Sequence, residues 1–576
     1  MNKKELINKR IIKIAILSSF TIKGIKETLQ VKAAKTNLLT EFYVGGYNQY
    51  AQEIFDPNSA LYKFNPDLII IFLDTIAILG DHYFLPYKIS DKKRRIWTDE
   101  KIVEIANLAE KITETCQAKV ILHNLEKPIY SPLGLVENKQ DIGYLESIEI
   151  INNSLRDRFK KNNQVYIFDY DAFCSQIGKQ NILDYKMYYL GDMKLNLKYL
   201  PNLCDQYMAY VQSIASMTKK CIVLDLDNTL WGGVIGEDGL EGIELGPTPE
   251  GRPFMEFQKL LLSLFHRGII LAVNSKNNYD DAIDVFENHP NMVLKENHFA
   301  SMQINWKDKV TNMRALAKKI NIGLDSMVFI DDDHMNREMM KEFIPEVTVV
   351  DLPKDSALYV KTLTNLKLFD SMIITKEDRQ KGQMYTEEKN RQKLAQVAID
   401  LTEYLRKLKV KVVFDKPNPV NIPRIAQLTQ KTNQFNMTTK RYTEEIIGQF
   451  VKDKNYQVIA IHVSDKFGDN GLTGLAIVEK KDIRIWRIDS FLLSCRIIGR
   501  KVEETLLAYI IKVAKSNKAH FLRGEFIPSK KNKLAEEFYQ KCGFKKLKNK
   551  DKTHVWEFDL KCEFPFPDFI KFKINK

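Results

Sequence analysis

The sequence predicts an α/β protein whose middle part is a parallel sheet with a reactive site at the ends of its strands. Apolar runs of strand length alternate with amphipathic helical stretches, which is typical of β-α-β units. Three of these runs, 219–224, 268–273 and 326–330, each end abruptly in polar side chains. Open parallel sheets bind ligands at the carboxyl ends of their strands, so we expect the three polar ends to meet.

The first of these runs ends in two carboxylates, Asp225 and Asp227, with Thr229 and glycines after them. At a strand tip, Asp225 is expected to bind Mg²⁺ and to attack phosphorus. Asp227 lies on the same side of the extended chain and is suited to protonate a leaving group and then deprotonate water. The pattern D-x-D-x-T is short and also arises by chance, so alone it favours neither interpretation.

The second run is followed by Asn274, Ser275 and Lys276, whose hydroxyl and amide groups are suited to hold a phosphoryl oxygen. A serine in this position is also a common helix cap. Next, the segment 305–309 opens an amphipathic helix with two lysines, Lys307 and Lys309. A lysine there could neutralise the charge that gathers in phosphoryl transfer, although lysines at helix starts are mostly solvated.

The third run ends in the acidic segment 331–333. Its carboxylates provide enough oxygen for a hard divalent cation, and a helix N-terminus is the other interpretation. In this order the four segments resemble the haloacid dehalogenase (HAD) superfamily of aspartate-nucleophile phosphatases. Over 219–352 the sequence is more specifically similar to the FkbH-like proteins of HAD subfamily IIIC.

This resemblance implies a role for each matched residue. Asp225 is the implied nucleophile, Asp227 the acid and base, and Lys309 the charge-balancing lysine, with Lys307 as its competitor. The implied phosphate contacts are Thr229, Ser275 and Lys276, and the implied Mg²⁺ ligands are Asp225, Asp227, Asp331 and Asp332.

FkbH-like enzymes are similar to glyceryl transferase-phosphatases, which use the acyl phosphate of 1,3-bisphosphoglycerate and pass the glyceryl unit through a thiol to an acyl carrier protein. The present sequence departs from them at two places. Asn274 stands where many relatives have cysteine, and 333–337 reads Asp-His-Met-Asn-Arg where relatives have Asn-Pro-x-Glu-Arg. The first change removes the expected thiol, and the second concerns support of the metal site.

The length of 576 residues predicts several domains. We expect an N-terminal domain at 1–215, the HAD-like domain at 216–370, a helical connector at 371–409 and a C-terminal domain at 410–576. In the first, Ser18 and Ser19 follow a strand, and the segment resembles SGNH hydrolases. It lacks a Gly-Asp-Ser signature and a convincing Asp-x-x-His, so we expect it to be non-catalytic.

The C-terminal segment contains an Arg-x-x-Gly-Arg turn at 496–500 and the sequence Phe-Tyr-Gln-Lys-Cys-Gly-Phe at 538–544. With these motifs it resembles GCN5-related (GNAT) acyltransferases. Carried over from that family, Arg496, Gly499 and Arg500 would bind the pyrophosphate of coenzyme A or a phosphopantetheine group, and Tyr539 would donate a proton. We place Cys495 at a helix N-terminus, where a thiol is more acidic and can serve as an acyl station. A buried, inert cysteine is the other interpretation.

Composition narrows the functional class. The net charge of +13 accompanies no nucleic-acid recognition motif, and it suits phosphorylated substrates, coenzyme A or an acidic carrier protein. Seven scattered cysteines form no metal-site spacing, and no apolar run reaches membrane-spanning length. A cytoplasmic protein is therefore expected.

Two functions remain open. One is a phosphatase coupled to acyl transfer onto a carrier-protein or coenzyme A thiol in polyketide or surface-glycan biosynthesis. The other is a plain small-molecule phosphatase whose end domains dock a carrier protein or act as a scaffold.

Overall fold

The computed structural model describes residues 11–374, 387, 391, 394, 400–529, 531–547 and 553–575. The chain divides into two compact units, Met1–Met217 and Thr218–Lys576. Most of the predicted helical connector, 371–409, lies outside the described residues. None of the described helices has the length and apolar character needed to cross a bilayer.

The first unit contains a five-stranded parallel sheet in the order β2-β1-β3-β4-β5. Its strands are β1 (Ile11–Ser18), β2 (Leu39–Val44), β3 (Leu68–Phe72), β4 (Lys119–His123) and β5 (Val165–Phe168). Its helices are α1 (Ile25–Lys35), α2 (Tyr50–Phe55), α3 (Ala60–Phe64), α4 (Thr75–Leu79), α5 (Asp91–Thr115), α6 (Tyr144–Phe159), α7 (Tyr170–Ile177), α8 (Lys179–Ile182), α9 (Tyr185–Gly191) and α10 (Leu200–Ile214). The sequence did not predict β2, an edge strand without a buried residue.

The second unit begins with another five-stranded parallel sheet, in the order β10-β9-β6-β7-β8. Its strands are β6 (Cys221–Leu224), β7 (Ile270–Ser275), β8 (Phe299–Ile304), β9 (Met327–Asp331) and β10 (Thr348–Asp351). Its helices are α11 (Ile235–Gly242), α12 (Arg252–His266), α13 (Tyr279–Asn288), α14 (Lys309–Ile320), α15 (His334–Phe343) and α16 (Tyr359–Asn365).

This order places β6 at the centre, between β7 and β9. All three strands run in the same direction, so their carboxyl ends share one edge of the sheet. Buried apolar clusters cover both faces, which explains the nearly continuous apolar strand sequences. The α/β fold class and the convergence of the polar strand ends follow the sequence prediction.

The rest of the second unit is built on a mixed, nine-stranded sheet in which β15 and β16 are parallel neighbours. Its strands are β11 (Lys411–Asp415), β12 (Phe435–Asn436), β13 (Tyr456–Asp465), β14 (Gly468–Glu479), β15 (Ile485–Leu493), β16 (Phe521–Phe526), β17 (Lys545–Lys546), β18 (His554–Asp559) and β19 (Lys571–Ile574). Its helices are α17 (Leu401–Leu408), α18 (Ile422–Lys431), α19 (Glu444–Lys452), α20 (Val502–Ser516) and α21 (Phe538–Lys541).

One helix boundary differs from the prediction. The sequence suggested that a helix opens near Cys495, whereas Cys495–Ile497 form a short 3-10 turn and α20 begins at Val502. The cause is the turn between them, in which Gly499 has a φ of 80° and Lys501 a φ of 63°. Left-handed residues interrupt a right-handed helix, so Cys495 is not at the N-terminus of α20.

Candidate active site

Three charged side chains meet at the carboxyl edge of the parallel sheet in the second unit. The Nζ atom of Lys309 lies 2.7 Å from Asp225 Oδ2 and 2.5 Å from Asp331 Oδ2. Asp225 follows β6, Asp331 ends β9, and Lys309 begins α14. All three are almost fully buried. Burial alone would lower the pKa of Lys309, but the two carboxylates outweigh it and raise the pKa, so the ammonium is retained.

A third carboxylate completes an oxygen-rich group at this edge. One oxygen each from Asp225, Asp331 and Asp332 lies within 4.8 Å of the others. Burial, followed by the charge of Asp225, raises the pKa of Asp331 above its usual range and that of Asp332 to about 7. Crowded acidic oxygens of this type are suited to a hard divalent cation, so the donor set fits Mg²⁺.

The carboxylate of Asp227 is fixed by donors on both of its oxygens. Oδ1 accepts hydrogen bonds from Trp231 Nε1 at 2.9 Å and from the Ile235 backbone N–H at 3.2 Å, and Oδ2 accepts one from Asn277 Nδ2 at 2.8 Å. Burial raises the pKa of Asp227. The sequence also predicted Asp227 as a metal ligand. Among the described residues, the cluster of carboxylates suited to a metal ion consists of Asp225, Asp331 and Asp332 and does not include Asp227.

The other predicted phosphate contacts differ in accessibility. Ser275 is buried at the end of β7 and Lys276 is exposed beside it. Thr229 is fully buried, and within the described part of the chain its hydroxyl has no hydrogen-bond partner. The phosphate contact expected of Thr229 stays a prediction. Lys307 is exposed, so Lys309 is the lysine in contact with the carboxylates.

Contacts that the sequence did not predict hold this site in place. Asn274 Nδ2 donates to the carbonyl oxygen of Lys309 at 2.8 Å. Arg337 Nη1 donates to the backbone carbonyl of Asp331 at 2.7 Å and to that of Asp332 at 2.5 Å. The position of Asn277, two residues after the end of β7, was a signal for its contact with Asp227, whereas no such signal pointed to Trp231.

The predicted arginines of the C-terminal segment, Arg496 and Arg500, line one cavity together with Gly499. Arg500 is buried, and its Nη1 lies 3.1 Å from Asp465 Oδ2. Arg391 approaches the same carboxylate, with Nε at 2.8 Å from Oδ2. Arg500 thus fastens the turn that Gly499 begins. Arg496 and the half-buried Cys495 line cavities of the second unit.

Tyr539, the predicted proton donor, is enclosed. Its hydroxyl is buried without a hydrogen-bond partner among the described residues, and burial raises its pKa far above the usual range. Its ring packs on Gly524 of β16, where an added Cβ would lie 2.3 Å from the ring. The structure does not bring Tyr539 together with Arg496 and Cys495 in one cavity lining.

The predicted serines of the first unit are also engaged. Ser18 Oγ accepts from the Phe20 backbone N–H at 3.2 Å, and Ser19 Oγ accepts from that of Asp74 at 2.8 Å. Beside them, Lys194 forms buried ion pairs with Asp74 and Glu126. Both serine oxygens thus accept backbone hydrogen bonds, and the expectation that this segment is non-catalytic stays a prediction.

Comparison with known proteins places this geometry in a family. The structure resembles the crystal structure of the N-terminal part of the protein BF1531 from Bacteroides fragilis, which contains a phosphatase domain and is complexed with Mg. The identity is 31%, the TM-score is 0.59, and the match covers 63% of the present chain and 95% of that chain. In addition, residues 13–212 match the model of the FkbH N-terminal domain. The chain belongs to the FkbH-like family of HAD phosphatases.

The FkbH model covers most of the segment for which an SGNH-like fold was predicted, and that finer assignment stays a prediction.

Two other solved structures are similar to 26% of the chain. They are the ribosomal-protein-S18-alanine N-acetyltransferase of Escherichia coli, of which 94% is covered, and an acetyltransferase of Streptococcus agalactiae, of which 98% is covered. Both have 12% identity and a TM-score of 0.21. No curated protein matches the chain.

Proposed function

We propose that this FkbH-like protein is a Mg²⁺-dependent phosphatase of phosphorylated small molecules and that residues 216–370 form its catalytic domain. The observation that carries the proposal is the pair of contacts from Lys309 to Asp225 and Asp331. A buried ammonium beside a carboxylate at a strand tip lets that carboxylate approach an anionic phosphoryl group with less repulsion.

Asp225, Asp331 and Asp332 are the residues that would hold the metal ion. A bound Mg²⁺ supplies positive charge to the phosphoryl oxygens and orients the phosphate. The Mg complex of the B. fragilis relative supports this assignment. Arg337 supports the same edge, because its contacts with the Asp331 and Asp332 carbonyl oxygens fix the end of β9.

The chain's own residues account for the proton and phosphoryl transfers. A carboxylate oxygen of Asp225 forms a bond to phosphorus while the bond from phosphorus to the leaving oxygen breaks. Asp227 gives its proton to that oxygen, and its raised pKa favours the protonated form needed for this step. Asp227 then takes a proton from water as the water oxygen attacks the aspartyl phosphate, which releases inorganic phosphate and restores Asp225.

Acyl transfer of a glyceryl-like group to an acyl carrier protein or a coenzyme A thiol, in polyketide or surface-glycan biosynthesis, is the second candidate function. Cys495 supports it, because a thiol beside Arg496 lines a cavity of ligand size. Two observations favour the plain phosphatase instead. Position 274 carries an asparagine that is bonded to the Lys309 carbonyl, and the hydroxyl of Tyr539 is enclosed.

Phosphate release from a panel of phosphorylated compounds that includes 1,3-bisphosphoglycerate tests the proposal. We expect release with Mg²⁺ and none with EDTA, and loss of release in Asp225→Asn. Lys307→Met is the matched control, because Lys307 is exposed. The masses of the protein and of an added carrier protein are followed in the same reactions. An acyl adduct supports the second candidate, and phosphate release without an acyl adduct supports the plain phosphatase.

A further inference from the structure

The parallel strands β15 and β16 separate beyond Ile488, and the chain itself fills the space between them. Segment 435–437 is paired with the end of β15 on one side, and on the other the Met437 carbonyl accepts from the Ile527 backbone N–H at 2.8 Å. Diverging strands offer backbone groups that an extended ligand can pair with. Because the chain occupies these groups, they are not open to an extended ligand.

Two adjoining cavities lie within the second unit, and both are lined by Asn321, Cys495 and Arg496. The larger has a volume of about 340 Å³ and the smaller about 180 Å³. Ligand pockets typically start near ~300 Å³, so the larger one, called the junction cavity below, is large enough for a small organic molecule. Its walls come from both sheets of the unit.

The lining of the junction cavity is strongly cationic. It contains five basic side chains and one carboxylate, that of Asp325, which is already paired with Lys531. The basic residues are Lys220, Arg424, Lys431, Arg496 and Lys531. The remainder is partly apolar, with Ile270, Ile322 and Leu428. Lysine and arginine are the usual partners of phosphate oxygens, so the lining suits an anion that carries an apolar portion.

The junction cavity is remote from the proposed catalytic carboxylates. Its residues 220, 270 and 326 stand at the amino ends of β6, β7 and β9, whereas Asp225 lies at the carboxyl ends. Helix α14 runs between these two edges of the sheet. Lys309, at its start, lies at the carboxyl edge, and Asn321, just past its end, lines the junction cavity. At 1.5 Å per residue, a helix of 12 residues is about 18 Å long. A small molecule in the junction cavity therefore does not touch Asp225.

We propose that the junction cavity is a second anion site, which binds an organic phosphate ester with an apolar chain and places it against Cys495. The site does not depend on the proposed phosphatase activity. A phosphate ester of this type has two sources, a free phosphorylated metabolite or the phosphopantetheine group of a coenzyme or carrier. Asn321 fixes the wall at Cys495, because its Nδ2 donates to the Cys495 carbonyl oxygen at 3.0 Å.

The test is protection of Cys495 from alkylation by iodoacetamide in the full chain, in EDTA, measured by peptide mass spectrometry. Cys562 is exposed and serves as the internal reference. The probes are n-hexyl phosphate for a free phosphate ester with an apolar chain and 4′-phosphopantetheine for the prosthetic group. At ten times its Kd, the bound probe is expected to slow alkylation of Cys495 about tenfold, with no change at Cys562. Protection by either probe supports the site and identifies the source.

Variants that change the charge of one lining residue show whether protection depends on the positive charge of the junction cavity. Lys431→Glu is expected to abolish protection, and Lys431→Gln to weaken it, while Lys452→Glu on the exposed surface of α19 leaves it unchanged. Protection in Asp225→Asn is expected to equal that of the wild type, which separates this proposal from the catalytic one. Absence of protection by both probes overturns the proposal. So does equal protection by pantetheine without its phosphate, or protection that survives in both Lys431 variants.

Discussion

Asn274 donates a hydrogen bond of 2.8 Å from its side-chain amide to the backbone carbonyl oxygen of Lys309. The bond joins the carboxyl end of β7 to the first turn of α14. Asn274 therefore fixes the backbone from which the Lys309 side chain reaches Asp225 and Asp331. We therefore expect Asn274 to act as a positioning residue.

Asn274→Ala is expected to lower both stability and activity. The free energy of unfolding should fall by about 1 kcal/mol, since a buried carbonyl oxygen loses its donor. A displaced Lys309 should reduce kcat on the order of tenfold, the equivalent of about 1.4 kcal/mol in the barrier. Urea unfolding and phosphate release measure the two effects. Asn288→Ala, at the exposed end of α13, is the control. Unchanged kcat in Asn274→Ala would contradict the positioning role.

Lys309→Met is expected to have a larger effect than Lys307→Met. Removal of the buried ammonium leaves Asp225 and Asp331 close together without a counter-charge. Loss of one partner from a buried ion pair costs on the order of 3 kcal/mol, and loss of an electrostatic stabiliser lowers kcat about 100-fold or more. Mg²⁺ should restore much of the lost thermal stability, because it binds the same carboxylates. Differential scanning fluorimetry with Mg²⁺ or EDTA checks this, and equal behaviour of the two variants would refute it.

Asp227→Asn is expected to discriminate between leaving groups. An alkoxide needs a proton as it leaves, whereas the carboxylate released from an acyl phosphate does not. First-turnover release should therefore fall by about 100-fold or more with a phosphomonoester and much less with an acyl phosphate. Rapid-quench measurement of the first turnover separates this step from hydrolysis of the aspartyl phosphate. Equal losses with both substrates would exclude proton donation by Asp227.

Glu503 at the start of α20 makes stability depend on pH. Burial raises its pKa from the ordinary 4.5 to about 7, and one of its oxygens is buried without a partner among the described residues. The folded chain therefore holds this proton more tightly than the unfolded chain. The contribution to stability is full below about pH 4.5 and is lost as the pH rises to about 7. At about 1.4 kcal/mol per pH unit, the change is on the order of 3 kcal/mol.

Glu503→Gln removes this proton equilibrium. As the pH rises from 4.5 to about 7, the wild type loses this contribution to stability and the variant does not. The difference in unfolding free energy between them should therefore change over this range and stay constant above about pH 7. Urea unfolding of both proteins at pH 5 and pH 8 measures the difference. Glu504→Gln, which removes the partner of Lys501, is the neighbouring control. A difference in unfolding free energy between wild type and Glu503→Gln that does not change with pH would rule out the account.

The meeting of the site residues at the carboxyl edge of the parallel sheet was predictable, because one geometric rule governs it. Parallel strands end at the same edge, so Asp225, Ser275 and Asp331 were expected to converge once their strands were recognised. The partners that fix these groups were not predictable in the same way. The contact between Asn274 and Lys309 depends on how α14 packs on β7. The hydrogen bond from Trp231 to Asp227 depends on the course of the loop that follows β6.

The C-terminal segment shows what a local pattern leaves out. Arg496 and Arg500 line one cavity, and their anion-binding role stays a prediction. Nothing in the sequence indicated that Arg500 pairs with Asp465, which lies 35 residues earlier in the chain. The short strand β12, which occupies the space beside β15, has only two residues and no alternating pattern. Such long-range pairings follow from tertiary packing and leave no periodic signal in the sequence.

The most direct test of the central claim is to detect a phosphoryl group on Asp225 itself. The protein is mixed with Mg²⁺ and a substrate that it hydrolyses, quenched in acid within the first turnover and analysed by peptide mass spectrometry. The account predicts a phosphate adduct on Asp225 in the wild type. With an acyl phosphate, whose leaving group needs no proton, the adduct should increase in Asp227→Asn, because its hydrolysis is slowed. Phosphate release that continues in Asp225→Asn, with no adduct on any aspartate of the wild type, would contradict it.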